Sequence, residues 1–430
     1  MDRLAWNLET LVGDYDRAGS RDARWDAVAR EFLTGFGHIR CRTPHPAASR
    51  MGELAHALME AGCTDPMVLY LLVRFRPDER DRTPAQRAED LRLAADRLLA
   101  SGYSAVRKFY AALRASESWK AAHGRETGAV YNRYREQAHT FLIEMLKLPE
   151  LPAEEGVEGI RDFAAAVAAS VAIEDGTLPT LIDCLGRRWP DHARALLVRG
   201  NLQLSLAWNR RGSGYADTVS DAGWEGFAAH IENAGRDLEK SWRLDPTVPD
   251  AAASMLRVML GRETDIARAR LWFNRAMEAD PACYQAARHM AWYLQPKWHG
   301  SVEQALSFGR RCVENQAWKG DVPLVLVDVH DMLAADGATG LKERHWTQPG
   351  VWKDVKASYD RFFELNPGAT QIRNNFARYA HKCGQFGVFL DILPTIKPLN
   401  PAVFGGRPAL EQMVAEAAAA TGRTPQWPGS

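Results

Sequence analysis

The side chains best suited to grip another molecule are arginines and amides set at helical spacing. Gln285, Arg288 and Trp292 follow one another at three and four residues, and Gln371, Asn374, Arg378 and His381 repeat that rhythm near the C-terminus. Arg257 takes a similar place upstream, with Asp250 before it. Residues three and four apart share one face of a helix. Guanidinium forks on such a face hold a carboxylate through paired, charge-assisted hydrogen bonds. A solvated helix face is polar too, so spacing alone does not separate a gripping face from ordinary surface.

A second group lies in two irregular stretches. Residues 208–223 are polar and Gly-rich and carry Arg210, Arg211, Tyr215, Asp217 and Thr218, while residues 296–301 carry His299. Long connections of this kind are often functional. Gly212-Ser213-Gly214 is no dinucleotide fingerprint, because the third Gly is missing and no strand precedes it. It is no phosphate loop either, since no Gly-Lys-Ser/Thr follows. No His-Glu-x-x-His or Gly-x-Ser-x-Gly occurs, so no catalytic residue is assigned. His38, Cys41 and His45 stand close together but lack a fourth ligand, and a plain loop is expected there. The six cysteines are scattered without a C-x-x-C pair, which suits buried free thiols. No metal and no cofactor are expected.

The elements that must position these residues read as helices. Residues 224–244 form an amphipathic segment closed by Leu244-Asp245-Pro246, then come Ala251–Leu260 and a further segment closed by Ala279-Asp280-Pro281. Pro246 and Pro281 lie 35 positions apart, and the closure returns at Asn366-Pro367 and Asn400-Pro401. A period in the mid-thirties with Pro ending each second helix predicts a tetratricopeptide-like α-solenoid, all-α, made of stacked helical hairpins with loop insertions. In such a solenoid the first helix of each hairpin lines the concave face. Ala253, Ala291 and Ala377 are small enough to let paired helices approach closely. Upstream, Thr83-Pro84-Ala85-Gln86 is a capping-box helix start. Val106, Phe109, Tyr110 and Leu113 mark a core-facing helix. Pro149–Gly156 reads as a joint. The expected organisation is an N-terminal helical region over 1–150, repeats over 151–405, and a capping helix with a frayed tail over 406–430. Asp321–Val329 has strand propensity, yet Asp321 and Pro323 suit a helix start, so a buried helix is expected.

Composition narrows the function classes. Of 430 residues, 46% are hydrophobic and 25% charged, with 54 Lys+Arg against 54 Asp+Glu. That balance lacks the basic excess of a nucleic-acid binder, and no nucleic-acid partner is expected. No apolar run is long enough to span a membrane, and the first residues lack the apolar core of a signal peptide. A cytoplasmic location is therefore expected.

Three blocks carry a family likeness. They are Ala207-Trp208 with Arg211-Gly212-Ser213-Gly214-Tyr215-Ala216-Asp217-Thr218-Val219, then Tyr293-Leu294-Gln295-Pro296-Lys297-Trp298-His299-Gly300-Ser301, and the earlier Val106–Leu113 stretch. Together they resemble the signature blocks of an uncharacterised bacterial family, catalogued as a domain of unknown function with tetratricopeptide-like repeats. His299-Gly300 departs from the two glycines that the family commonly carries after the Trp. The resemblance implies the fold and no activity, cofactor or substrate. The expected function is a scaffold or adaptor that binds a protein or peptide along a concave groove. Two alternatives stand beside it: an enzyme whose site forms where the 208–223 and 296–301 loops meet, and a self-assembling structural subunit.

Overall fold

The computed structural model of the protein describes residues 2–43, 48–73, 75, 82–124, 128–167, 176–212, 214, 216–262, 265–335 and 344–427. Among them are twenty α-helices joined by short turns and 3-10 segments, with no strand. The chain is all-α, and its helices pack as successive hairpins. Two compact units divide it, residues 1–209 and 210–430.

The chain specifies its helix starts by local hydrogen bonds. Thr83 Oγ1 accepts from Gln86 N at 3.2 Å while Gln86 Oε1 accepts from Thr83 N at 2.9 Å, the reciprocal bonds of a capping box. Ser301 Oγ accepts from Gln304 N at 3.1 Å, and Ser220 Oγ from Gly223 N at 3.2 Å.

The stops explain the repeat. Proline disfavours helical backbone in the residue before it. Accordingly Asp245 adopts φ −145° and ψ 85°, Asp280 −147° and 105°, and Asn366 −133° and 65°. Asp245, Asp280 and Asn400 then accept the amide two residues on, at 3.3, 2.8 and 3.1 Å. These three closures are Asx turns on a proline, each built from two adjacent residues, whereas the Asn366 amide donates to the Gly320 and Phe362 carbonyls, both at 3.0 Å.

The first unit contains α1 (Arg3–Ala18), α2 (Asp26–Arg40), α3 (Ala48–Glu60), α4 (Pro66–Leu72), α5 (Pro84–Leu99), α6 (Ala105–His123), α7 (Gly128–Met145), α8 (Ala153–Val167) and α9 (Thr177–Arg188). Helix α6 packs against α5, α7 and α8, and its Val106, Phe109 and Leu113 are buried. The 149–156 stretch lies inside this unit. Glu155 there is fully buried, and its carboxylate accepts from Arg3 Nε at 2.9 Å, Asn7 Nδ2 at 3.2 Å and Tyr110 Oη at 3.0 Å, and from Arg40. Burial alone would push this carboxyl up, but Arg40 and Arg3 hold it down at about 2.

Helix α10 (Ala193–Arg211) ends at the division between the units. The second unit then holds α11 (Asp221–Leu244), α12 (Pro249–Gly261), α13 (Ile266–Ala279), α14 (Tyr284–Tyr293), α15 (Val302–Glu314), α16 (Val325–Ala335), α17 (Val351–Leu365), α18 (Arg373–Lys382), α19 (Phe386–Ile392) and α20 (Arg407–Thr421). Helix α12 packs on α11, α13 and α14, and α14 packs on α16, so first helices of successive hairpins lie side by side. Ala253, Ala291 and Ala377 are buried as close-packing positions require. The 322–335 stretch is a 3-10 turn followed by buried α16, not a strand. Helices claim both ends of the 208–223 stretch, since α10 runs to Arg211 and α11 begins at Asp221. Within the 337–350 insertion, residues 337–343 lie outside the described set, and His345–Thr347 form a 3-10 turn.

Candidate binding face

A continuous polar stripe crosses the first helices of the second unit. On α12, Arg257 is half-buried and makes no hydrogen bond or ion pair through its side chain among the described residues. Burial pushes its guanidinium below the ordinary value, and no carboxylate among the described residues offsets that. On α14, Arg288 is exposed and also lacks an ion-pair partner among the described residues. His289 beside it bonds the Ala253 carbonyl of α12 through Nδ1 at 3.0 Å. A carbonyl only accepts, so Nδ1 carries the proton. Burial holds the His289 imidazole down at about 4, with Arg257 and Arg288 adding to the effect.

The stripe turns acidic on α16. Tyr284 of α14 donates its hydroxyl to Asp328, and Tyr379 of α18 donates to Asp331. Burial raises the Asp328 carboxyl, against the Tyr284 bond and the Arg288 charge. The Lys382 ammonium stands 3.7 Å from Asp331 and 4.6 Å from the Trp346 ring centroid. Arg378 donates to Tyr379 Oη at 3.3 Å and to the Val403 carbonyl at 3.4 Å. Along the stripe the order is therefore two unpaired cations, two acids anchored by tyrosines, and two partnered cations.

The other residues singled out by spacing fall in different surroundings. Gln285 is exposed at the start of α14, and Trp292 is half-buried with an indole N–H that has no partner among the described residues. Lys297 lies over the Trp292 ring at 5.7 Å. Gln371 is exposed in a 3-10 turn. Asn374 is buried: it donates to the Gln371 and Pro398 carbonyls, both at 3.0 Å, and accepts from Asn400 N at 2.9 Å. That amide is spent on holding the 398–400 segment. His381 turns away toward α19 and α20, edge-on to Phe386 at 5.1 Å and with Nε2 3.3 Å from Glu416.

The loop group is partly brought together. Arg211 lies over the Trp224 ring at 5.5 Å and the Trp298 ring at 5.4 Å, so the two irregular stretches meet at one guanidinium. Beside it is a cavity of about 400 Å³ whose walls include Phe227, Ile231, Leu260 and His299. Arg211 also donates to the Gly212 and Gly214 carbonyls at 3.3 and 3.1 Å. His299 Nε2 donates to the Leu260 carbonyl at 3.1 Å, and its ring stacks on Tyr293 at 4.5 Å. Arg210 does not line this cavity; its stem packs against Gly226. Asp217 is exposed in a 3-10 turn, and Tyr215 lies outside the described residues. Upstream, His38 bonds Thr43 Oγ1 at 2.8 Å, Cys41 Sγ faces the Arg3 carbonyl at 3.9 Å, and His45 lies outside the described residues.

Spacing arguments missed Asp328, Asp331, Tyr284 and Lys382. The available signal was two acids three residues apart inside the apolar Val322–Leu333 run, where an acid needs a partner. A buried relay was missed as well. His330 Nδ1 meets His345 Nε2 at 3.0 Å, and His330 Nε2 meets Asp354 at 3.2 Å. Arg310 grips the same carboxylate, with Nη2 2.9 Å and Nε 3.1 Å from its oxygens. It joins α15, α16 and α17.

No family model matches the chain, and no curated protein sequence matches it. Among solved structures, one match is the crystal structure of the APC/C hetero-tetramer Cut9-Hcn1, 12% identical and covering 93% of this chain and 77% of that one, at a TM-score of 0.21. At that score the likeness carries no argument. The molecule's own hairpins, side-by-side first helices and Asp/Asn-Pro closures make it a tetratricopeptide-like helical-repeat protein. No helix among the described residues is long and apolar enough to cross a membrane.

Proposed function

We propose that the second unit acts as a scaffold or adaptor that holds a segment of another protein along the α12–α14–α16–α18 stripe. Arg257 and Arg288 receive the acidic end of that segment, and Asp328 and Asp331 receive a basic residue further along. The observation that carries this reading is Arg257: a half-buried cation with no carboxylate among the described residues costs stability, and a bound carboxylate would recover it. Arginine forks, a partnerless indole N–H and tyrosine-anchored acids are the groups that peptide grooves use for charge-matched recognition.

Anisotropy of short labelled peptides tests it. One peptide carries two acidic residues followed by two basic ones, and a neutral peptide of the same length is the control. The charged peptide binds the full chain, more weakly as salt rises. Arg288→Met, which removes an exposed side chain with no ion pair, weakens it roughly tenfold, the worth of one charge-assisted bond. Equal binding of the neutral peptide, or an unchanged affinity in Arg288→Met, overturns the proposal.

A further inference from the structure

The first unit holds a half-open cavity of about 270 Å³ between α1, α2, α4, α5, α6 and α8. Part of its wall is apolar, from Leu11, Met67, Leu71 and Leu98. The rest holds four guanidiniums, Arg40, Arg42, Arg107 and Arg114, with two acids, Glu158 and Asp162. Three of these arginines are held by carboxylates, and Arg114 Nη2 reaches the lining acid Asp162 at 3.0 Å. Arg107 Nε donates to Asp14 at 3.0 Å, Arg40 to Glu155, and Arg114 Nη1 to Glu117 at 2.6 Å. Each guanidinium has five N–H donors, so these anchors leave further donors on every one. The Arg40 Nε is buried and has no hydrogen-bond partner among the described residues. Arg107 is only 6% exposed, and its Nη2 bonds Thr10 Oγ1 at 2.6 Å, which fixes its plane. Arg42 sits at the exposed rim with φ +56°, and its side chain makes no hydrogen bond or ion pair among the described residues.

We propose that this cavity binds a small organic carboxylate with an apolar body, its charge on Arg40, Arg42 and Arg107 and its body against Met67, Leu71 and Leu98. The size follows from the volume: a cavity of about 150 Å³ takes benzene, so one of about 270 Å³ takes on the order of ten non-hydrogen atoms. The charge follows from the pairing. Arg40, Arg107 and Arg114 are each matched by a carboxylate, Glu155, Asp14 and Asp162, which leaves Arg42 as the lining cation without one among the described residues, a surplus that suits one negative charge rather than two. Planar guanidinium forks match a carboxylate in the same way. Nothing in this site depends on the stripe of the second unit, and its success or failure leaves that reading untouched.

Calorimetric titration of the full chain tests the assignment with benzoate, its neutral isostere benzamide, and phenyl phosphate. Benzoate binds, and benzamide binds at least roughly tenfold more weakly, because one charge-assisted hydrogen bond is worth about that much. Phenyl phosphate binds no better than benzoate. Arg42→Ala, at an exposed position without a side-chain partner among the described residues, keeps the melting temperature of the free protein and lowers benzoate affinity roughly tenfold. Ile39→Trp, adding bulk at a lining residue that is 37% exposed, abolishes binding. Absence of benzoate binding, equal binding of benzamide, tighter binding of phenyl phosphate, or an unaffected Arg42→Ala overturns it.

Discussion

Replacing Arg257 by Met should make the free protein more stable and its binding weaker. Met keeps the length and apolar character of the arginine stem and removes the charge. In the free chain that charge is half-buried and has no carboxylate within ion-pair reach among the described residues. A fully buried charge stripped of its partner costs about 3–5 kcal/mol, and the water that still reaches Arg257 reduces this to about 1 kcal/mol. For a unit the size of residues 210–430, about 1 kcal/mol moves the melting temperature by roughly 2–4 °C. The expected result is therefore a rise of that size in differential scanning calorimetry, with roughly tenfold weaker binding of the acidic–basic peptide. Arg310→Met is the contrasting control. Arg310 grips Asp354 with two nitrogens, so the same substitution there leaves a buried carboxylate with only His330 beside it. Its melting temperature should fall. If Arg257→Met also melts lower, Arg257 is a structural cation and the argument for an acidic ligand collapses.

Two other outcomes follow from the same unit. His289 titrates near 4 in the folded chain against an ordinary 6.5, so as pH falls the unfolded chain takes up the proton first. Its contribution to stability is complete above pH 6.5 and is lost down to about pH 4, with a ceiling of about 3 kcal/mol. Urea midpoints at the two ends of that window should differ less in His289→Asn than in the parent, and an identical difference refutes the assignment. Gly300→Ala should disrupt the 294–300 turn, because the added carbon would lie 2.2 Å from the Leu294 carbonyl oxygen and 2.6 Å from its carbon. Both are backbone atoms that cannot swing aside, so a loss of about 1–3 kcal/mol is expected in urea unfolding. An unchanged midpoint shows that the turn yields freely.

The repeat was legible because its cause is local. An Asp or Asn followed by Pro ends a helix and forms an Asx turn within three residues, so the closures at 245, 280 and 400 need no distant partner. The capping box at Thr83 was legible for the same reason. The ends of the 208–223 stretch were harder. Its Gly and polar composition reads as loop throughout, yet packing of the flanking helices extends them over Trp208–Arg211 and Asp221–Gly223.

The candidate face shows the limit of spacing most clearly. Arg257, Asn374 and His381 look equivalent in one dimension, each a polar residue at a helical interval. In three dimensions Asn374 is consumed by Pro398 and Asn400, His381 is turned against Phe386 and Glu416, and Arg257 is left without a partner among the described residues. The cavity in the first unit is a further case, since Arg40 and Arg42 at the end of α2 meet Arg107 and Arg114 of α6 only through packing. By itself the sequence determined that this chain is all-α, where its hairpins close, and that its charges balance, because propensity, capping and composition act over a few residues. Which cations are paired, which are buried alone, and which share a cavity was decided by the tertiary structure, because desolvation and ion pairing depend on neighbours far apart in the chain.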